Sequence, residues 1–148
     1  MPKQQLILDE FLPYQLAQLA QRVSATLSRT YQERFNLTIP EWRVIACLGE
    51  RERATAKIIG ESSFMDKVKT SRAVKGLLAK GLLKKEQNDQ DSRSFWVSLN
   101  GKGKRLYNDL TPCALQWETE LLAGLKGKEQ DQLRNILEKL SLRLNEML

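Results

Sequence analysis

The sequence predicts a mainly helical chain carrying one small β-hairpin, and three observations point there. Among 148 residues there are only 8 Gly and 4 Pro, few for a sandwich or barrel, while the good helix formers Leu, Glu, Lys and Gln are abundant. Apolar residues recur at three- and four-residue spacing through most of the chain. One stretch alone, from Leu82 to Leu99, reads as two strands around a polar tip. A chain of this length buries roughly 70% of its unfolded surface on folding, so a single domain over residues 1–148 can hold a core of its own.

Leu12, Leu16, Leu19, Ala20, Val23, Leu27 and Tyr31 mark a first helix from about Pro13 to Phe35, with Asn36 as a left-handed stop. Thr38-Ile39-Pro40-Glu41 is a capping box with proline in the first turn. It opens a second helix, Trp42 to Leu48, apolar nearly all round and so expected to be buried. Glu50 to Arg53 make a turn. A short helix with Thr55 as its cap follows, carries Ile58 and Ile59 inward, and breaks at Ser62-Ser63-Phe64. Asp66 then caps a fourth helix that runs through Lys80 and closes on Gly81. Helix, tight turn, helix is the arrangement that places its second helix in a DNA groove.

Leu82 to Gln87 and Phe95 to Leu99 are the two strands, the second with Phe95, Val97 and Leu99 on one face. The seven residues between, Asn88 to Ser94, are all polar and suit a projecting tip. Asn100 caps a fifth helix striped by Leu106, Leu110, Ala114, Trp117 and Leu121, with a kink expected at Pro112. After a bend at Gly124 to Gly127, a last helix carries Leu133, Ile136, Leu137, Leu140, Leu144 and Met147. The terminal helices bear apolar stripes far from the central module, and the simplest way to bury both is for the ends of two chains to interlock. A purely intramolecular helical layer is the plainer alternative.

Net charge is +6, but its distribution says more than its total. From Met65 to Arg105 there are 11 Lys/Arg against 4 Asp/Glu, and the rest of the chain holds 13 against 14. The whole excess therefore lies within 41 consecutive residues, the electrostatic footprint of a polyanion partner. At 100° per residue, Thr70, Val74, Leu77 and Leu78 fall on one side of the fourth helix, with Ser71 at the border. Val68, Lys69, Arg72, Lys75 and Gly76 fall on the other. A merely solvated helix would also be polar outside, but it would use Glu partners at i±4, and these are missing. Val68 is an apolar residue in the exposed first turn, where a thymine methyl gives it a use.

Lys69 and Arg72 can reach guanine edges or phosphates, and the Thr70 and Ser71 hydroxyls can reach phosphates from the border. Lys67 and Lys75 suit phosphates, as does Lys57 on the preceding helix; such contacts position without reading sequence. At the tip, Arg93 suits insertion into a narrow minor groove. Asp91 is expected to hold that guanidinium by a charge-assisted hydrogen bond.

There is no histidine. This removes His-based acid–base and nucleophilic chemistry and most catalytic zinc sites. Carboxylates are scattered and no Gly-rich phosphate loop occurs, so no enzyme, metal or cofactor is expected. Cys47 and Cys113 are far apart, which excludes a disulfide framework and suits a reducing, cytoplasmic setting. No secretory signal or membrane-crossing run is legible in the sequence.

With these residues in view, the chain resembles the MarR family of winged helix-turn-helix regulators. Met65-Asp66-Lys67-Val68-Lys69-Thr70-Ser71-Arg72-Ala73-Val74 resembles the family's recognition helix and Gly81-Leu82-Leu83 its first wing strand. Asp91-Ser92-Arg93-Ser94 resembles the wing tip and Val97-Ser98-Leu99 the second wing strand. Asn100 stands where the family commonly has Thr, and both can cap a helix. The resemblance implies a winged helix-turn-helix module over residues 38–100, with residues 1–37 and 101–148 forming dimerisation helices. It implies a homodimer on a pseudo-palindromic operator of double-stranded DNA, its recognition helices about 34 Å apart in successive major grooves and its wings in minor grooves.

The resemblance also implies a small, often anionic aromatic effector in a crevice lined by the first, second and fifth helices, and Ile39-Pro40-Glu41-Trp42-Arg43-Val44 is similar to members associated with aromatic-acid catabolism. Arg43 is the lone charge in an apolar helix and needs a carboxylate, either internal or from a ligand, unless it snorkels outward. Tyr14, Arg22 and Trp42 are its candidate companions, Tyr14 and Trp42 reading first as core residues. The expected regulator is a repressor released by ligand. Rival readings are a ligand-independent architectural DNA binder and a redox switch on Cys47 or Cys113.

Overall fold

The structure is a computed structural model and describes residues 3–148. A short 3-10 turn at Leu8–Glu10 leads into α1 (Leu12–Ser28), α2 (Gln32–Phe35), α3 (Ile39–Glu50), α4 (Ala56–Ser63) and α5 (Lys67–Ala79). The hairpin β1 (Leu83–Gln87) and β2 (Phe95–Leu99) follows, then α6 (Gly101–Leu122) and α7 (Gly127–Met147). The chain divides into two compact units, one through Cys113 and one from Ala114 onward. The mainly helical class with a two-stranded wing is as the sequence predicts.

One expected helix is two. α1 stops at Ser28, and three turn-type hydrogen bonds, from the Arg29, Thr30 and Tyr31 N–H groups to the carbonyls three residues back, carry the chain into α2. The cause is Tyr31. Its backbone leaves the helical region at φ −124°, and its ring is drawn into the core, stacked on Trp42 with ring centroids 5.3 Å apart. Periodicity alone continues through this break, because Tyr31 is apolar at a spacing the helix would also accept. Asn36 ends α2 in the left-handed region at φ 53°, as expected of a residue that tolerates it.

The capping box at α3 is complete: Thr38 Oγ1 accepts from the Glu41 N–H at 3.2 Å and Glu41 Oε1 accepts from the Thr38 N–H at 3.0 Å. α3 buries Val44, Ile45 and Leu48 against Ile59 of α4, Leu77 of α5 and Val97 of β2, the centre of the first unit's core. The hairpin is antiparallel, with Leu83 opposite Leu99 and Gln87 opposite Phe95. Ala54 adds a further bridge, exchanging both backbone hydrogen bonds with Val97. That bridge ties the wing's second strand to the turn between α3 and α4.

Phe95 shares the core-facing side of β2 with Val97 and Leu99, as expected, but is only half-buried. It lies near the tip, where the Lys85 ammonium sits 3.9 Å from the ring centroid, while Arg53 covers Trp96 at 4.3 Å. Cationic side chains cover what the core leaves exposed of these two rings.

In the second unit α7 has no buried residue, and Ile136, Leu137, Leu144 and Met147 are exposed. The N-terminal segment is equally bare, with Leu6, Leu8, Leu12, Tyr14 and Leu19 exposed.

Candidate nucleic-acid interface

Two short helices and their caps set the interface. Thr55 Oγ1 accepts from the Ile58 N–H at 3.3 Å and starts α4. Asp66 Oδ1 accepts from the Lys69 N–H at 2.8 Å and starts α5, a bond that also places a carboxylate at the positive end of the helix. Between them Phe64 takes the left-handed conformation at φ 53°, its own N–H and that of Met65 both donating to the Gly60 carbonyl. Asn or Gly is the usual choice there. Phe64 is 95% exposed.

On α5 the inward residues are Thr70, Ala73, Val74 and Leu77. Lys67, Val68, Lys69, Ser71, Arg72 and Lys75 are all exposed, and among the described residues none of these cations has a carboxylate partner within salt-bridge distance. Thr70 is a correction. It is 2% exposed and its hydroxyl donates to the Asp66 carbonyl at 2.8 Å, so it locks the first turn of α5 instead of facing a phosphate. Gly76, expected on the outer face, turns toward α3, where it meets the carboxylate of Glu41. Lys57 is exposed on α4 and shares the rim of a cavity of about 390 Å³ with Glu61 and Lys67.

The wing tip is a hydrogen-bonded loop. Asn88, although polar, is buried: its amide donates to Ser94 Oγ at 3.0 Å and its Oδ1 accepts from the Gln90 N–H at 3.1 Å. Asp91 is a second correction. Its Oδ1 accepts from the Arg93 backbone N–H at 3.0 Å and makes no ion pair with the guanidinium. The carboxylate therefore shapes the turn, an Asx turn in effect, and leaves the exposed Arg93 side chain free to meet another group.

The expected effector residues are only partly assembled. Trp42 and Arg43 border one cavity of about 290 Å³ together with Cys47, Arg51 and Phe64. Tyr14 and Arg22 lie exposed on α1 and do not line it. Arg43 has no carboxylate partner among the described residues; its guanidinium donates one long hydrogen bond, 3.5 Å, to Ser24 Oγ. Beside it the Tyr31 hydroxyl is buried and unpartnered among the described residues. Burial pushes the Tyr31 phenol up to about 12, with Arg43 pulling it partly back. Cys47 is buried, and that burial pushes its thiol up, only partly offset by Arg51, whose guanidinium donates to Sγ at 3.7 Å. Sequence reasoning missed Tyr31 and Arg51: Tyr31 read as one more apolar position of a helix, and Arg51 as part of a charged turn.

Residues 37–95 match the family model described as the MarR family. The HTH-type transcriptional regulator YwaE of Bacillus subtilis is 27% identical over 95% of this chain and 83% of its own. The crystal structure of a MarR/EmrR family transcriptional regulator from Acinetobacter sp. ADP1 superimposes with a TM-score of 0.83 at 27% identity, covering 95% of this chain and 99% of that one.

Residues 37–95 thus match the MarR family, and the fold is that of MarR-family transcriptional regulators.

Another relative, the organic hydroperoxide resistance transcriptional regulator of Bacillus subtilis, is 28% identical over 64% of this chain and 67% of its own. The relatives and solved structures it matches are transcriptional regulators, and MarR-family regulators bind DNA and are not enzymes. The matched segment covers the α3–α5 module and the tip of the wing, where the unpaired cations lie.

Proposed function

We propose that the protein is a homodimeric repressor that holds a pseudo-palindromic operator through α5 and Arg93 and lets go when a small aromatic acid binds. The observation that carries the DNA reading is the outer face of α5, four unpaired cations around an exposed valine on a helix whose opposite face is locked in the core. Lys67 and Lys75, with Lys57, neutralise phosphates; Val68, Lys69 and Arg72 read base edges; Arg93 enters the minor groove. The bare stripes of the N-terminal segment and α7 support the dimer, since apolar patches of this extent on a lone chain mark an interface. In this reading residues 38–100 are the DNA module and the flanking segments the dimerisation layer. No helix among the described residues is long and apolar enough to cross a membrane, and a DNA partner suits the cytoplasm.

The effector reading rests on Arg43 and Tyr31. A buried hydroxyl without a partner among the described residues is costly as it stands, and a carboxylate bridging it to the half-exposed Arg43 would satisfy it. Trp42, stacked on Tyr31, offers an aromatic wall. Ligand then shifts the population toward a dimer whose recognition helices no longer match one helical turn; a tenfold loss of affinity needs only about 1.4 kcal/mol of differential binding. A switch on Cys47 finds less support, because burial pushes its thiol up; Cys113 is half-exposed and accepts from the Arg34 guanidinium at 3.4 Å, so a switch there stays the rival reading.

The test is a titration of the purified protein on duplexes flanking its own gene, with and without benzoic and phenolic acids chosen by thermal shift. Specific binding well above that for random duplex, weakened by an acid that also raises Tm, is the expected result. Steep salt dependence with no sequence preference would instead favour an architectural binder.

A further inference from the structure

Glu41 does more than complete a cap. Its side chain is almost fully buried, and it stands where three parts of the chain meet. Besides the Thr38 N–H, Oε1 accepts from Lys80 Nζ at 2.7 Å. That ammonium also donates to the carbonyl of Asn36, the left-handed corner between α2 and α3. The other oxygen, Oε2, faces Gly76: a Cβ there would stand 2.5 Å from it. One carboxylate thus joins the α2–α3 corner to two points, one turn apart, on the C-terminal half of α5.

Gly76 is the informative residue. It sits inside a helix with ordinary helical backbone, where Gly is less favourable than Ala and no left-handed conformation demands it. What the missing Cβ provides is a notch for the carboxylate. Buried ion pairs are weak sources of net stability but are well suited to fixing one register among several. The end of α5 is held from the other side as well: Asn100 donates from Nδ2 to the Gly81 carbonyl at 2.8 Å while its Oδ1 caps α6 at the Gly103 N–H.

We propose that Glu41 is a positioning residue for DNA readout: seated in the Gly76 notch and paired with Lys80, it sets the rotation and axial placement of the recognition helix. Flexible lysines on phosphates tolerate a small shift of α5. Base-edge contacts, which depend on fixed geometry, do not. The inference rests on the reading of α5 as the helix that meets DNA.

The experiment compares wild type with Glu41→Ala, Gly76→Ala, the double variant and Thr38→Ala, each at a temperature where circular dichroism shows it folded. Affinity is measured at one salt concentration for a duplex enriched by the wild type from a random pool and for the unselected pool. Amide exchange is followed over residues 76–82. Glu41→Ala and Gly76→Ala should each lower the selected-to-random affinity ratio about tenfold and speed exchange. The double variant should be no worse than Glu41→Ala, because the added methyl then has nothing to strike. Thr38→Ala, which loses a cap bond but leaves α5 untouched, should keep the ratio. An unchanged ratio in Gly76→Ala, additive losses in the double variant, or an equal loss in Thr38→Ala overturns the proposal. Should the wild type enrich no duplex, the DNA reading of α5 fails; the positioning of α5 is then judged on exchange, and equal protection in wild type and both single variants overturns it.

Discussion

Arg93 and Arg72 carry the same charge but sit on supports of different stiffness, and their losses should differ in kind. Arg93 rides on a loop braced by Asn88 and Asp91, and in the proposed complex it contributes charge to a groove whose width it senses. Arg93→Ala is expected to weaken operator binding at least tenfold and flatten the salt dependence by about one unit of slope, leaving the dimer intact. Fluorescence anisotropy across a salt series reads both. Arg72 projects from a rigid helix, so Arg72→Ala should cost about 1–3 kcal/mol on the preferred duplex and relax base preference at one position; a uniform loss on all sequences would make it a phosphate contact. Tyr31 makes a third case. Its buried hydroxyl has no partner among the described residues, so Tyr31→Phe should leave the unliganded protein as stable or up to about 1 kcal/mol more stable while blunting the response to an acid effector. Its titration has a defined sign. With the folded phenol pushed up to about 12 from an ordinary 10, the unfolded chain ionises first, so stability falls as pH rises from about 10 toward 12. Tyr31→Phe removes that part of the alkaline loss, which chemical denaturation at stepped pH will measure.

Caps and turns were the readable part of each element, because their chemistry is local. Thr38 with Glu41, Thr55, Asp66, Gly81 and Asn100 all punctuate where the sequence puts them. Asp66→Ala is accordingly expected to cost about 1 kcal/mol and to loosen the first turn of α5, where Lys67, Val68 and Lys69 lie; thermal unfolding and amide exchange at residues 67–70 check it. The unreadable part was set by partners remote in sequence. Lys80 meets Glu41 across 39 residues, and nothing in either neighbourhood announces the other. Angular arithmetic put Thr70 on the inner side of α5, but a hydroxyl there has a backbone acceptor one turn back, and it bonds the Asp66 carbonyl instead of reaching a phosphate. Asp91 obeyed a shorter rule than the one applied to it: an Asp two residues before an N–H bonds that N–H before it reaches a side chain. Tyr31 shows the limit of periodicity, since a residue can keep helical spacing and still leave the helix when a ring such as Trp42 offers a better place.

In the proposed dimer the decisive quantity is the distance between two recognition helices, which one chain cannot set. The first unit holds a complete core; α7 has no buried residue, and among the described residues the N-terminal segment has none before Ser28. Burying a stripe of leucines releases roughly 25 cal/mol per Å² of apolar surface, enough over a dimer-sized interface to hold two chains together against the entropy of association. The consequence for DNA is larger than for stability. Two linked modules bind the second half-site as an intramolecular event, raising affinity by about 10²–10⁴ without any new contact. Leu137, half exposed in the α7 stripe, is the place to test this. Leu137→Glu should yield a monomer by sedimentation equilibrium, with α3–α5 and the wing still folded. Its affinity for the full operator should drop about a hundredfold or more, while its affinity for a single half-site should equal that of one module of the wild type. A variant that stays dimeric would show that α7 does not hold the partner, and a monomer that binds the full operator as tightly as the wild type would show that spacing between helices is not what the operator reads.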